Sequence, residues 1–429
     1  MKKFALASCM AALIGAGTAN AEQGPVPGGI PRLDHVFVIM MENHGFSQII
    51  NNPNAPFINQ YVKDANLATN YFAVAHPSLT NHLEIVGGSN FGVLTDSDPD
   101  WHDAHCLNNL SSGLTATETP PSPPICPIAG AGTEAATPAI DLSNESQGPP
   151  GTVNIDGVQS IPASSHIVAK TIADQLVAAG RNWKSYEDGL PVAGADRVNY
   201  SDGVLSNLTD LGAVWPAQTP PLTSRMIVAL YAAKHNPFVY FRNVQEGTDP
   251  RNSLKNAVGF DGIRGLFADL RAGEIPSLAF IVPNQCNDQH GRDNAGPLCE
   301  YDPKDDGSQE GLNPALLLRS DITLQNLVSA IKSSPAWRHG RNAIVVVWDE
   351  NDYSNVPNTN QVVLTVDTNY GLHHLQSKVR YSHFSLLKSM ESGFGLRCLN
   401  HACDEGVAVM ADLFAGKVAN AAVEAARSP

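Results

Sequence analysis

The sequence predicts an α/β fold with a mainly parallel central sheet and helices on both faces, and three stretches carry that prediction. Asp34-His35-Val36-Phe37-Val38-Ile39-Met40-Met41, Ser277-Leu278-Ala279-Phe280-Ile281-Val282 and Ala343-Ile344-Val345-Val346-Val347-Trp348 are apolar runs in which hydrophobic and polar residues do not alternate. A strand that is apolar on both sides must be covered on both sides, as strands are in parallel sheets flanked by helices. Each run ends on polar residues: Glu42-Asn43 after the first, Asn284, Asp288 and His290 after the second, Asp349-Glu350 after the third. Ligands of open α/β sheets gather at the carboxyl ends of the strands, so this common edge is where chemistry is expected.

The other elements follow in chain order. Residues 1–21 combine Lys2 and Lys3, an apolar segment from Phe4 to about Gly17, and Ala19-Asn20-Ala21 as a small-residue cleavage site, which reads as a secretory signal peptide with the mature chain starting at Glu22. Leu6-Ala7-Ser8-Cys9 matches a bacterial lipoprotein pattern, but the stretch between Lys3 and Cys9 is too short for the apolar core of such a signal. No later stretch approaches the roughly twenty apolar residues of a membrane span. The expected product is periplasmic or secreted, with residues 22–429 forming a single domain.

Without Cys9, six of the seven cysteines remain, an even number that favours disulfides in an oxidising compartment. Sequence neighbours suggest Cys106 with Cys126, Cys286 with Cys299, and Cys398 with Cys403. The middle pair would staple the loop carrying Asp288 and His290.

Residues 51–59 are turn-rich and lead into a short helix containing Phe57, Ile58 and Tyr61. In Ala75-His76-Pro77-Ser78-Leu79-Thr80-Asn81-His82-Leu83-Glu84-Ile85-Val86-Gly87-Gly88, Pro77 marks a helix start and Gly87 the position just past its end. Ser78 then lies in the first turn, where outward-pointing N–H groups favour an anion. From about 101 to 164 the composition shifts to Pro, Ser, Thr, Gly and Ala, which reads as a surface insertion. Asp96, Asp98, Asp100 and Asp103 precede or open it; they lack the glycine and terminal glutamate of a calcium loop and read as a solvated acidic loop.

A helix is expected over 165–179, capped by Ser164 or Ser165, with Ile167, Val168, Ile172, Leu176 and Val177 as its apolar stripe and Gly180 as its stop. Strands are expected at Trp183–Tyr186 and Pro237–Val244. Ser320-Asp321 is read as the cap of a helix with Leu324, Leu327, Val328 and Ile331 on one face, after which Trp337–Gly340 returns the chain to the third apolar run. This alternation of helix and strand is what predicts a parallel sheet.

The formal net charge of −15 argues against nucleic-acid binding, which needs Lys and Arg clusters. HExxH, GxGxxG, P-loop and GxSxG patterns are all absent, which weighs against zincin, dinucleotide, NTPase and α/β-hydrolase readings. Glu42, Asn43, Asp349 and Glu350 are hard oxygen donors at two strand ends and could meet around one divalent cation. Burying several carboxylates together without a cation is costly. Oxygen donors suit calcium, magnesium or manganese; participation of His290 or His383 moves the preference toward zinc or iron. Either histidine could alternatively donate a proton to a leaving group.

Taken together, Asp34 to Asn43, His76-Pro77-Ser78-Leu79-Thr80-Asn81-His82, Trp348-Asp349-Glu350-Asn351-Asp352 and Ser382-His383-Phe384 resemble, in this order, the bacterial phosphoesterase family, which includes secreted acid phosphatases and phospholipases C of the alkaline phosphatase superfamily. The resemblance covers roughly residues 33–95 and 165–395. It implies an alkaline-phosphatase-like α/β sandwich with an active-site divalent metal. By matching position, Glu42, Asn43, Asp349 and Glu350 look like metal ligands, and Ser78 looks like a nucleophile that also touches the metal. Asp288, His290 and His383 fall where the superfamily has further ligands or phosphate-contacting groups, although Asp288-Gln289-His290 is tighter than the superfamily's Asp-x-x-x-His. Glu42-Asn43-His44-Gly45-Phe46 resembles the acid phosphatase branch more than the phospholipase C branch.

The implied reaction is hydrolysis of a small phosphoester through a phosphoserine on Ser78. A phospholipase C or other phosphodiesterase acting on a phospholipid headgroup is the alternative within the class, and a non-catalytic exported metal- or ligand-binding protein is the alternative outside it. Ser78-Leu79-Thr80-Asn81-His82 lacks the x-Pro-x-Arg that a sulfatase needs after its Cys or Ser.

Overall fold

The computed structural model of the protein describes residues 23–91, 93, 96, 99, 167–190, 230–292, 295–304, 306–351 and 360–415. The signal segment 1–21, the insertion 101–164, Asp98, Asp100, Asp103, the Cys106–Cys126 pair, Ser164 and Ser165 lie outside them. The strands are β1 (His35–Met41), β2 (Asn66–Ala68), β3 (Tyr71–Phe72), β4 (Trp183–Glu187), β5 (Ala257–Gly259), β6 (Leu278–Val282), β7 (Asn342–Trp348), β8 (Leu364–Thr368), β9 (Gln376–Ser377) and β10 (Tyr381–Ser382). The helices are α1 (Phe46–Ile49), α2 (Pro56–Asp64), α3 (Ser78–Gly87), α4 (Ile172–Ala178), α5 (Arg242–Glu246), α6 (Leu266–Ala272), α7 (Pro314–Ser333), α8 (His383–Phe394) and α9 (Ala411–Ala415).

The main sheet runs in the order β5-β4-β6-β1-β7-β8-β2-β9, and β3 pairs with β10 in a small second sheet. β5, β4, β6, β1 and β7 are mutually parallel, and β8 alone in the main sheet runs against its neighbours. The fold class read from the three apolar runs is therefore the fold observed. Those runs become β1, β6 and β7 at the centre of the sheet, and every residue of β6 and β7 is buried. Their unbroken apolar character is the consequence of cover on both faces.

Several local expectations are corrected. The helix expected from 165 begins only at Ile172, capped by Thr171, whose hydroxyl accepts the Ala173 N–H at 3.2 Å. Ile167 instead bridges to Phe241, and Val168 is exposed. The strand expected at Pro237–Val244 is a 3-10 turn, Pro237–Tyr240, followed by α5. Its aromatic and β-branched residues are strand-like in composition, but they are used for packing: Phe238 lies against Trp183 with ring centroids 4.4 Å apart. Tertiary burial overrides propensity here.

Ser320 and Asp321 do not start α7. That helix begins two turns earlier, at Asn313, whose side chain accepts the Ala315 N–H at 3.0 Å. The Asp321 carboxylate does cap a helix, but it is α2: it accepts the N–H groups of Phe57 and Ile58 at 3.0 and 2.7 Å. α3 runs one residue further than expected, through Gly87, and Gly88 takes the left-handed stop with φ 71°. A side chain at Gly88 would collide with the Leu399 carbonyl. No helix among the described residues is long and apolar enough to cross a membrane.

Candidate metal and active site

Strand register builds the site. Met41 at the end of β1 stands opposite Trp348 at the end of β7, so Glu42 and Asp349 leave the sheet side by side. The Asp349 N–H bonds the Met41 carbonyl at 3.0 Å, and the Glu42 N–H bonds the Asp288 carbonyl in the loop after β6 at 2.9 Å. Three strand ends are thereby locked together by backbone. Cys286 and Cys299 form the disulfide expected to close the Asp288 loop, and Cys398–Cys403 also forms as expected.

α3 brings the next groups. It is buried along its whole length, including its polar residues Ser78, Thr80, Asn81, His82 and Glu84. Ser78 opens it, and its Oγ lies 3.1 Å from Glu42 Oε2 and 2.9 Å from Glu350 Oε1. His82 is one turn on, at i+4, and so shares the face of Ser78. Its Nε2 lies 2.8 Å from Glu42 Oε1. Glu350 is held by two more partners: His76 Nδ1 at 2.6 Å and Asn81 Nδ2 at 3.4 Å from its Oε2.

A 3-10 turn, Ala233–His235, closes the other side. His235 Nε2 lies 3.3 Å from Glu42 Oε1, its Nδ1 lies 3.4 Å from Asp288 Oδ2, and its ring stacks on His82 at 5.4 Å. His290 directs Nδ1 at the Gly291 carbonyl, 3.0 Å away. A carbonyl only accepts, so Nδ1 carries the proton and the lone pair is on Nε2, which lies 3.1 Å from Lys234 Nζ.

Two sets of three ligand atoms each lie within 4.8 Å of one another: Glu42, His82 and Asp349 in one, Glu42, His235 and His290 in the other. That spacing suits donors around a cation at about 2.0–2.2 Å from each. Asp349 Oδ2, Asp288 Oδ2, His235 Nε2 and His82 Nδ1 are buried without a hydrogen-bond partner among the described residues. Buried polar atoms are rarely left so unless something else binds them. The donor set is mixed nitrogen and oxygen, and the residues fit one or two divalent cations.

Electrostatics point the same way. Burial pushes Glu42 up to about 8, with the negative charge of Glu350 adding to the effect and Lys234 opposing it. Burial likewise raises Asp349, Asp288 and Glu350 well above the usual carboxylate range, and neighbouring carboxylates add to it. Burial lowers His82 to about 4 and His290 to about 3, and it holds His235 well below its ordinary value. The histidines are therefore neutral, the protonation state that binds metal. Their contacts with Glu42 and Asp288 are hydrogen-bonding or ligand-to-ligand contacts between neutral imidazoles and carboxyl groups, not ion pairs.

Of the residues expected from the sequence, Glu42, Asp349 and His290 fall in the two donor sets. Ser78 and Glu350 bond one another. Asp288 accepts the His290 N–H through Oδ1 at 2.7 Å and turns Oδ2 toward His235. Asn43, at φ 57°, donates its backbone N–H to Asp349 Oδ1 at 3.0 Å. His383 stands behind Asp349 and not beside Ser78: its Nε2 is 2.6 Å from the Asp349 carbonyl and its Nδ1 2.8 Å from the Tyr71 hydroxyl. Asp96, expected in a solvated acidic loop, is half-buried there and paired with Lys234 at 2.7 Å.

His82, His235, Lys234 and Asp96 belong to the site and were not assigned to it from sequence. The Ser78–His82 spacing could have placed His82, because the helix itself was recognised. Nothing near Lys234-His235 signals a ligand, since its role depends on a turn returning to a distant strand end.

A model of the phosphoesterase family matches residues 50–296 of this chain. A phosphatidylinositol-3-phosphatase of Mycobacterium tuberculosis is 22% identical over 91% of this chain and 85% of its own length. An acid phosphatase of Aspergillus fumigatus is 22% identical over 59% of this chain and 36% of its own length. Among solved structures, a protein in the alkaline phosphatase superfamily from Vibrio parahaemolyticus is 10% identical, with a TM-score of 0.43, covering 87% of this chain and 69% of that one.

Proposed function

Because the chain belongs to the phosphoesterase family and is a hydrolase acting on phosphoric esters, we propose that it is an exported, metal-dependent phosphomonoesterase that works through a phosphoserine on Ser78. The observation that carries this reading is the Ser78 hydroxyl, held between the Glu42 and Glu350 carboxylates at the first turn of a buried helix. A hydroxyl with two carboxylate acceptors can lose its proton as it attacks phosphorus. The helix N-terminus then faces the charge that develops on the phosphoryl oxygens.

In this reading Glu42, His82 and Asp349 form one cation site, and Glu42, His235 and His290 form a second, with Asp288 orienting His235 and the His290 backbone. A cation bound there would neutralise the carboxylates and act as a Lewis acid toward a phosphoryl oxygen. Nitrogen donors favour zinc or a similar transition ion over calcium or magnesium. Glu350 serves Ser78 instead of a metal, and His76 and Asn81 hold Glu350 in place. Neither histidine named as a proton donor suits that role. His290 presents a lone pair, and both nitrogens of His383 are engaged away from Ser78.

Monoesters are favoured over diesters because the relatives are named for monoester hydrolysis, one of them at the phosphate of an inositol lipid. The two disulfides and the signal-like leader support export. The deciding experiment is phosphate release by metal-loaded protein from a panel of aryl, sugar, nucleotide and inositol-lipid monoesters beside aryl and lipid diesters. Monoester turnover that disappears in Ser78→Ala supports the reading. Turnover of diesters alone would replace it with a phosphodiesterase.

A further inference from the structure

Lys234 immediately precedes the histidine that faces Glu42 and Asp288, yet its own side chain turns elsewhere. Its Nζ donates to Asp96 Oδ2 at 2.7 Å and, with no cation on that nitrogen, to His290 Nε2 at 3.1 Å. The other oxygen of Asp96, Oδ1, accepts the N–H of Leu79 at 3.1 Å. A single carboxylate therefore bridges a cation and the backbone amide next to Ser78. Asp96 is the more accessible partner: its side chain is 31% exposed, against 17% for Lys234.

We propose that Lys234 binds a phosphoryl oxygen of the substrate, and that Asp96 occupies its place in the free enzyme until the phosphoryl group displaces it. The proposal rests on the reading of Ser78 as the nucleophile. Carboxylates and phosphoryl groups both present adjacent anionic oxygens to N–H donors. In the exchange, Leu79 N–H and Lys234 Nζ each trade a carboxylate oxygen for a phosphoryl oxygen, so no buried donor is left unpaired, and the displaced carboxylate moves to solvent. Unpaired donors are what make such exchanges expensive, and here there are none.

Charge explains why a cation is needed at this spot. A phosphomonoester approaching Ser78 meets Glu42 and Glu350 at hydrogen-bond distance from the hydroxyl it must reach. A lysine is ordinarily an ammonium at neutral pH, and this one is paired with the Asp96 carboxylate. The lysine thus supplies a positive charge beside His290.

The test is calorimetric titration of metal-loaded protein with inorganic phosphate, alongside metal content, melting temperature and hydrolysis of p-nitrophenyl phosphate. Lys234→Met should weaken phosphate binding about 10- to 100-fold, the loss of one charge-assisted hydrogen bond, with metal content retained. Lys234→Arg should recover part of it. Asp96→Asn should tighten phosphate binding, because a neutral amide competes less well for Lys234. Unchanged phosphate affinity in Lys234→Met overturns the proposal, and Lys234→Gln gives the same reading if the methionine variant folds poorly. Phosphate binding weakened in Asp96→Asn as in Lys234→Met would mean that Asp96 only orients the lysine, and would overturn displacement. A wild-type protein whose turnover does not depend on Ser78 would sink the nucleophile reading and this proposal together. Turnover that depends on Ser78 but not on Lys234 would sink this proposal alone.

Discussion

His383 Nε2 donates to the backbone oxygen of Asp349 at 2.6 Å, while its Nδ1 accepts the Tyr71 hydroxyl at 2.8 Å. The imidazole, fully buried at the start of α8, ties the small β3–β10 sheet to the end of β7. A neutral ring with one donor and one acceptor nitrogen satisfies both partners, and burial, which lowers the ring to about 3, keeps it neutral.

His383→Ala should therefore destabilise the protein by roughly 2–5 kcal/mol, since it leaves a cavity and two buried polar groups unpaired. Tyr71→Phe should cost less, about 1–3 kcal/mol. Chemical denaturation measures both. A His383→Ala protein as stable as wild type would show that the bridge is not structural.

Ser78→Ala should lower turnover about 10³-fold or more and leave the fold intact, because the hydroxyl contacts carboxylates and no core side chain. Single-turnover kinetics and circular dichroism on the same preparation check this. Near-wild-type turnover in folded Ser78→Ala would remove Ser78 from the chemistry.

Asp349→Ala should lower divalent-metal content and activity together. His82→Ala should lower metal content by a comparable amount, because both belong to the same donor set. Elemental analysis after dialysis, paired with activity after exhaustive chelation, tests the claim. Full activity with less than about a tenth of an equivalent of metal would exclude metal-assisted catalysis.

The cation-free protein should lose stability between pH 6.5 and 8. Glu42 is raised from 4.5 to about 8, mainly by burial, so its folded form holds a proton that its unfolded form has released. Its contribution is complete below 4.5 and disappears as pH climbs toward 8; Asp349, Asp288 and Glu350 act in the same direction. The buried histidines act oppositely, favouring the fold as pH rises, but that effect ends near 6.5, where the unfolded chain stops binding those protons. Melting temperatures in chelator across this range should fall, and a bound divalent cation should flatten the decline. A flat profile in chelator would contradict the burial of these carboxylates.

The centre of the sheet was legible because burial on two faces writes itself into the chain as continuous apolar residues, and the strand-end acids of β1 and β7 were legible with it. Pro237–Val244 was misread because a packed turn and a strand draw on the same bulky residues. The donor set was half visible. Glu42 and Asp349 sit next to readable strands, whereas His235 reaches Glu42 across 193 positions of sequence through a turn with no pattern of its own. Glu350 lies at hydrogen-bond distance from Ser78, a matter of side-chain direction that sequence spacing does not carry.

The cap that Asp321 places on α2 bears on the order in which the chain assembles. α2 has nine residues, too few to persist alone in water, where helices shorter than about 12–15 residues are marginal. Two of its first amides find their acceptor 264 and 263 positions away, inside α7. α2 is therefore secured only once α7 has docked, after most of the polypeptide has left the ribosome. Contacts of such long range are slow to form, so α2 should be among the last segments to gain amide-exchange protection during refolding.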